Sequence, residues 1–494
     1  MRRRRALRHR LPLPLALAAP LVLSACMVGP DYRRPTAPIS PAFREVAGWT
    51  IAAPAEAAPR GAWWAVFGDP VLDGLERQVA VTNQTVQTQV AAYDAARALV
   101  AEAQAALLPV VGVTPSVSRN SQNVGFGVIG THSSIGKAFT DFSLQASGSW
   151  DLDVWGRLRR EVEAQQAAAA ASAADLANAT LSAQAALASA YFNLRFEDSL
   201  ADLLRQTDTA YAQALAITQN EYDAGTVSRG DVVTAESLLK STEAQLVGVA
   251  AVRASYEHAI AVLAGLPPAA LAIPPAPMPS AVPVLPPGLP ATLLQRRPDI
   301  AAAERTMAQQ NALIGAAIGA FYPDITLSGT FGYAGNPLAS LIQAANRLWS
   351  LGAAANQPLF EGGLRIATVA AARANYDAAV ASYRQTVLTA LQDVENDLAN
   401  LRILADQAVA EDAAVQATQR AVDVTLDEYR AGTVIYTTVL TEQELLLADQ
   451  QTALTIQQGR LLASVALITD LGGGWQQSDL PPPVGFNPAA VVEP

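Results

Sequence analysis

The chain has 494 residues, of which 51% are hydrophobic and only 16% charged, and the formal net charge is −11. Much of the hydrophobic share is alanine, which points to long, closely packed helices more than to large cores. The acidic balance argues against nucleic acid as a partner, and a single cysteine, Cys26, leaves no internal disulfide to form.

The chain opens with MRRRRALRHR, followed by the apolar run LPLPLALAAPLVLSA. A basic stretch and then fifteen apolar residues reads as a secretory signal over 1–25, too short to span a bilayer as a helix. Leu23-Ser24-Ala25-Cys26 has the form of a bacterial lipobox, so Cys26 is the expected lipid attachment point. Removing the signal takes six arginines and no acids, leaving 27 Lys+Arg against 44 Asp+Glu, or −17. Residues 26–68 then form an extended segment tethered by Cys26.

From 69 to 265 and again from 291 to 471, the same signals recur in the same order. Each half has a helical segment, an alternating run, a Gly/Ser-rich loop, a second alternating run and a very long helical stretch. In the first half the alternating runs bound a β-hairpin at about 109–154. Phe142, Leu144, Ala146, Trp150 and Leu152 share one face there, and Ser143, Gln145, Ser147, Asp151 and Asp153 the other. The second hairpin, about 323–359, alternates Ile325, Leu327, Phe331 and Tyr333 with Asp324, Thr326, Ser328 and Thr330. Apolar on one side and small polar on the other is the pattern of a membrane β-barrel lining water. Four strands cannot close a barrel, and open edges are not tolerated in lipid, so strands from several subunits must be pooled. Two chains would supply eight strands and three would supply twelve.

Each hairpin is followed by 67 residues without proline, Gly156 to Tyr222 and Gly363 to Tyr429. At 1.5 Å per residue each stretch reaches roughly 100 Å. Apolar residues recur every seven: Leu401, Ala408, Val415, Val422 and Tyr429, echoed by Leu194, Ala201, Leu215 and Tyr222. That beat predicts coiled-coil packing. Each stretch ends in a near-identical heptapeptide, EYDAGTV from Glu221 and EYRAGTV from Glu428. Its glycine suits a helix stop, and Thr226, Ser228 or Thr433 can cap the next helix. Between the halves, residues 259–295 carry no Asp, Glu, Lys or Arg, yet ten prolines between 267 and 290 rule out a helix in lipid. The linker, 266–290, is expected to be stiff and extended, and no spanning helix is expected anywhere. Gly472-Gly473-Gly474 reads as a helix stop before the tail, 472–494.

Several segments together resemble the TolC-like outer membrane efflux proteins, in particular the lipoprotein branch related to OprM and the NodT group. They are CMVGPDYRRP from Cys26, WWAVFGDPVL from Trp63, WDLDVWGR from Trp150, RRPDIAAAE from Arg296 and FYPDI from Phe321. QPLFEGG from Gln357, YRAG from Tyr429 and LGGGW from Leu471 complete the series. The resemblance covers essentially the whole mature chain. It implies an α+β membrane protein: a homotrimer with a twelve-stranded outer-membrane barrel, four strands per chain, continued by an α-helical periplasmic tunnel. Its implied partners are a periplasmic adaptor and an inner-membrane pump, commonly of the proton-driven resistance-nodulation-division type. In the family the two Tyr-x-x-Gly turns are the periplasmic tips, which makes Gly225, Thr226, Val227, Gly432, Thr433 and Val434 the expected adaptor contacts.

The tips also carry the family's gate, closed by acidic residues and by tyrosine-linked bonds. Tyr222, Asp231 and Tyr429 match it. The family's aspartates, six or nine residues after the second glycine, are missing: Thr438 and Thr441 stand at those positions, with Glu442 adjacent. A hydroxyl-lined constriction binds cations less strongly than a carboxylate ring. No enzyme is expected. His132 lies in a Gly/Ser loop, His258 has no acid or cysteine at ligand spacing, and Asp151 with Asp153 lies on the strand's water face, so neither catalysis nor a metal or other cofactor is anticipated beyond the lipid on Cys26. The competing reading is a structural or passively conducting envelope lipoprotein without a pump. A passive porin has no use for a tunnel reaching deep into the periplasm. Lipidation is tested by Cys26→Ser, which should abolish incorporation of labelled palmitate; unchanged labelling would refute it.

Overall fold

The computed structural model describes residues 27–37, 39–40, 42–46, 62–122, 137–283 and 295–485. Cys26 and His132 lie outside these residues. The elements run α1 (Pro70–Thr82), α2 (Gln84–Ala105), β1 (Val110–Gln122), β2 (Lys137–Leu152), α3 (Arg157–Asp223) and α4 (Arg229–Leu263). They continue with α5 (Pro298–Gly319), β3 (Asp324–Gly335), β4 (Arg347–Asn356), α6 (Leu364–Arg430) and α7 (Tyr436–Asp470). The period-two runs become the four strands, and α3 and α6 are each 67 residues long.

The strands form one antiparallel sheet in the order β1-β2-β3-β4. The register lines up like with like. Val113, Ala146, Phe331 and Trp349 make an apolar row, while Gly112, Ser147, Thr330 and Ser350 make a small polar one. Polar side chains join neighbouring strands, Ser116 Oγ with Ser143 Oγ at 2.7 Å and Thr330 Oγ1 with Ser350 Oγ at 2.6 Å. β4 alternates weakly in sequence because its polar face is built from Gly352 and Ala354 as well as Ser350. Asp153 departs from the strand-face expectation. β2 ends at Leu152, and the Asp153 carboxylate instead accepts from the Leu158 and Arg159 backbone N–H groups, with Arg159 Nε at 3.1 Å. It caps the start of α3, whose own N-cap is Gly156 and supplies no side chain.

Below the sheet each strand is continued by a helix: α2, α3, α5 and α6 pack side by side in that order. The lower layer has the order α4-α3-α7-α6. The long helices α3 and α6 span both layers, while α4 abuts α2 and α7 abuts α5 end to end. At the first joint Asn83 caps α2 and its amide donates to Leu263 O at 2.8 Å, and Thr82 Oγ1 donates to Ala264 O at 2.6 Å. At the second, Arg297 Nη1 reaches Asp470 O at 3.2 Å and Oδ1 at 3.0 Å. A carbonyl-rich helix end thus meets a donor-rich one, and the end charges of the two dipoles offset each other. The result is four helical columns, each in line with a strand. Within α6, Leu401 and Val422 are buried and Ala408 and Val415 between them half-buried, in step with the seven-residue beat.

One expectation needs correction. α4 is long and apolar enough by composition to cross a membrane. Its apolarity comes largely from alanine and valine, most of them not buried in the protomer, and Arg253 and Glu257 interrupt it with an ion pair at 3.1 Å. Val247, Val252 and Val262 remain exposed along its flank.

The linker opens with a short 3-10 helix, Pro268–Ala270, where an extended run was expected, then carries neither helix nor strand over 271–279 and is fastened laterally. Asp198 accepts from Arg195, Arg253 and the Ala276 N–H, while Arg195 and Arg253 also donate to Pro274 O and Ile273 O. Proline removes donors but leaves carbonyls, and two arginines use them. The N-terminal segment runs from the strand–helix junction, where Val28 N donates to Trp155 O, down to Glu395 on α6, which accepts from Arg44 N and Glu45 N.

In the core beneath α1, Glu76 is fully buried, and neither carboxyl oxygen has a hydrogen-bond partner among the described residues. Burial raises its pKa to about 9. Because the folded form holds the proton more tightly, stability present at acidic pH is lost as pH rises from the unfolded carboxyl's 4.5 through about 9. Glu76→Leu should therefore melt higher than the parent, with the gap wider at pH 8.5 than at pH 5.5. Parallel melting curves would refute this account.

Candidate functional site at the helical tips

The two repeated heptapeptides are the turns α3–α4 and α6–α7, and their recurrence has a geometric cause. Gly225 and Gly432 adopt φ 79° and 73°, the left-handed region that glycine enters without strain. Gly225 N donates to Tyr222 O and Thr226 N to Glu221 O; Gly432 N donates to Tyr429 O and Thr433 N to Glu428 O. This is a Schellman closure in both tips. Thr226 Oγ1 and Thr433 Oγ1 add second donors to the same Glu221 and Glu428 carbonyls, at 2.9 and 2.8 Å. Both threonines therefore close the preceding helix and do not cap the next one. Ser228 alone does that, in a capping box with Asp231. Ile435 stands at the second N-cap without any side-chain bond.

The uncapped second turn changes what Asp231 can do. Its Oδ2 accepts from Ser228 N at 2.9 Å, and its Oδ1 accepts from Thr437 Oγ1 at 2.8 Å in the other hairpin. Hydrogen bonds from Ser228 and Thr437 hold its carboxyl below the usual carboxylate range, so both bonds persist well into acidic pH. A second link runs from Tyr429 Oη to Glu221 Oε1 at 2.7 Å. That bond and partial burial push the Tyr429 phenol up to about 12, so it remains a donor at neutral pH. Tyr429 and Tyr436 meet edge to face at 4.9 Å above a small core of Tyr211, Ala214, Ala235, Leu239, Val439 and Leu440.

Of the residues expected at the gate, Asp231 and Tyr429 are thus brought into one clasp between the hairpins. Tyr222 is 40% exposed and stands apart. Thr438 and Thr441 are exposed on α7, Thr441 Oγ1 donating only to Thr437 O, and Glu442 is half-buried. Gly225, Thr226, Gly432 and Thr433 are exposed at the turns, with Val227 and Val434 half-buried beneath them. Glu221, Tyr436 and Thr437 escaped the sequence reading. Glu221 begins the repeated heptapeptide, which was a usable signal; nothing local marks Thr437 as the partner of Asp231. Near the tips several buried polar atoms have no partner among the described residues: Glu221 Oε2, Tyr211 Oη, Asp208 Oδ1 and Gln443 Oε1.

The profile of the outer membrane efflux protein family matches residues 75–266 and 289–473, the two repeats on either side of the linker. The chain belongs to this family. It is an outer-membrane channel component of an efflux system. It is 31% identical over 462 residues to the pyoverdine export outer membrane protein OpmQ of Pseudomonas aeruginosa, covering 92% of this chain and 96% of that one. It is 30% identical over 480 residues to the toluene efflux pump outer membrane protein TtgF of Pseudomonas putida, covering 96% and 99%. The solved outer-membrane channel OprN superimposes with a TM-score of 0.83 at 30% identity, covering 91% of this chain and 100% of that one. Members of this family are channels, not enzymes.

Tyr429→Phe and Thr437→Ala each remove one bond of the clasp, at a cost of about 1 kcal/mol apiece. Amide exchange should speed up in peptides around 221–231 and 428–440 while the melting temperature of the whole protein stays put. Unchanged exchange at the tips would remove the clasp from the account.

Proposed function

We propose that three copies of this efflux channel assemble into a twelve-stranded barrel continued by a twelve-column helical tunnel. Through it, substrates handed over by a periplasmic adaptor and an inner-membrane pump of the resistance-nodulation-division type reach the exterior. The observation that carries this reading is the match of strands to columns. Four strands in line with four helical columns leave two free sheet edges and two free helix flanks, α4 and α6, on the same two sides of the protomer. A heterologous contact that rotates and closes satisfies both sides at once. A passive conduit without a pump would not call for columns ending in two exposed, matched turns.

In this reading Gly225, Thr226, Val227, Gly432, Thr433 and Val434 meet the adaptor, and the Asp231–Thr437 and Tyr429–Glu221 bonds hold the tips until docking separates the hairpins. Thr438 and Thr441 line a constriction poorer in charge than a carboxylate ring, so cations are held less tightly there. Cys26 carries the lipid. Met27, the first described residue, lies against Gly156 at the junction of sheet and helices, where an attached acyl chain can enter the membrane. The relatives' names pair this architecture with toluene in one case and pyoverdine in another. A duct serving such different cargo leaves their selection to the pump.

Gly225 and Gly432 have open space around them, so substitution there strains the turn through its positive φ without a steric clash. Replacing both with leucine should abolish pump-dependent resistance while trimers, read by native mass spectrometry, remain intact. Full resistance would separate the tips from adaptor docking.

A further inference from the structure

The turn that leaves β4 presents two of the most exposed apolar side chains in the molecule, Leu359 at 95% and Phe360 at 90%. They sit on a defined turn. Gln357 Nε2 donates to Phe321 O at 3.2 Å, and Arg365 Nε meets Glu361 at 2.8 Å. Gly362 and Gly363, at φ 59° and 88°, then swing the chain into α6. Nothing among the described residues of the same protomer covers the pair. Two adjacent, fully exposed large apolar side chains held in place mark a contact surface.

At the opposite edge of the sheet, the segment entering β1 is also apolar and exposed: Leu108 at 46% and Val110 at 73%. Trp150 Nε1 donates to Leu107 O at 2.9 Å and holds that segment in place. We propose that Leu359 and Phe360 form a hook that seats on the apolar patch around Leu108 and Val110 of a second copy of this chain, at the foot of the seam between subunits. The proposal rests on the trimeric reading above.

Strand order and lengths place the hook there. β4 is the free edge on one side and β1 on the other, and β4 runs in the opposite direction to β1. Closing the seam therefore pairs them antiparallel. If the two strands are aligned at their lower ends, with Asn356 opposite Val110, positions 359 and 360 fall opposite 107 and 106. If they are aligned at their upper ends, with Arg347 opposite Gln122, the same positions fall opposite 110 and 109. Either register sets the hook beside the Ala106–Val110 segment. The bilayer surface is the competing occupant, since it too would cover exposed apolar residues at this level.

The test is thiol crosslinking with a short bifunctional reagent in membranes. Phe360→Cys is combined in turn with cysteines at Ala106, Leu107, Leu108, Pro109 and Val110, and the parent chain, whose one cysteine is Cys26, serves as the blank. Crosslinked dimers and trimers at one or two adjacent positions, absent from the blank, are expected. Leu359→Ser with Phe360→Ser should also lower the melting temperature of the trimer. A companion set pairs Ala354→Cys with cysteines at Gly112, Val113, Thr114 and Pro115 and reads the strand seam independently of the hook. If the seam set crosslinks and the Phe360 set does not, while brominated lipid quenches a fluorophore at position 360, the hook faces the membrane and the proposal is overturned with the trimer intact. If the seam set also fails and native mass spectrometry finds no trimer, the assembly reading itself falls, and the hook with it.

Discussion

The structure is organised by an unmet requirement: a strand edge in lipid cannot leave its N–H and C=O groups without partners. The four-stranded sheet pairs its inner edges and leaves β1 and β4 open. The helical layers repeat the arrangement, with α4 and α6 as flanks. Because each column lies under a strand, whatever completes the sheet also completes the layer below it. In the proposed trimer, sheet and helices thereby share one symmetry. The exposed Val247, Val252 and Val262 on α4 lie, in that trimer, on the flank that a neighbouring subunit covers.

Length sets the second constraint. Two of the four columns are single helices of 67 residues, and the other two are assembled from shorter pieces. A break in a helix exposes four carbonyls and four N–H groups. Stacking ends head to tail around Asn83 and Arg297 lets side chains satisfy part of that deficit. The breaks also give the chain somewhere to leave and return. α1, the linker and the N-terminal segment all gather at this level and form a belt, fastened by Asp198 and Glu395. The duplicated halves can thus remain similar in the columns and differ in the belt.

At the tips, near-identity of sequence hides a difference in role. The repeated Gly and Thr are explained by the Schellman turn and by the doubled donation to one carbonyl, both purely local. The asymmetry arises one turn later. The first hairpin has a capping serine and an aspartate that serves two partners, while the second has Ile435 at the cap and spends Thr437 on the neighbour. The clasp joins the hairpins through two side-chain bonds. Each hairpin is closed by its own Schellman turn, and the two bonds between hairpins are the ones that the proposed opening of the tips breaks.

Much of this was legible in the residues. Period two marked the strands, period seven and the absence of proline marked α3 and α6, and positive-φ glycines marked the turns, because each is a short-range demand on backbone geometry or on one face. Long-range pairings were not legible. Nothing near Thr437 names Asp231, and nothing in Asp153 reveals that β2 stops at Leu152 and frees its carboxylate to cap α3. Tyr222 followed the seven-residue beat and still proved exposed, whereas its counterpart Tyr429 packs against Tyr436. By itself, then, the sequence determined the strands, the long helices, the duplication and the local form of both tips, all of which depend on contacts within a few residues. Only the tertiary structure decided which hairpin bonds to which, how broken helices are spliced into columns, and which edges stay open, because those depend on groups about two hundred residues apart meeting in space.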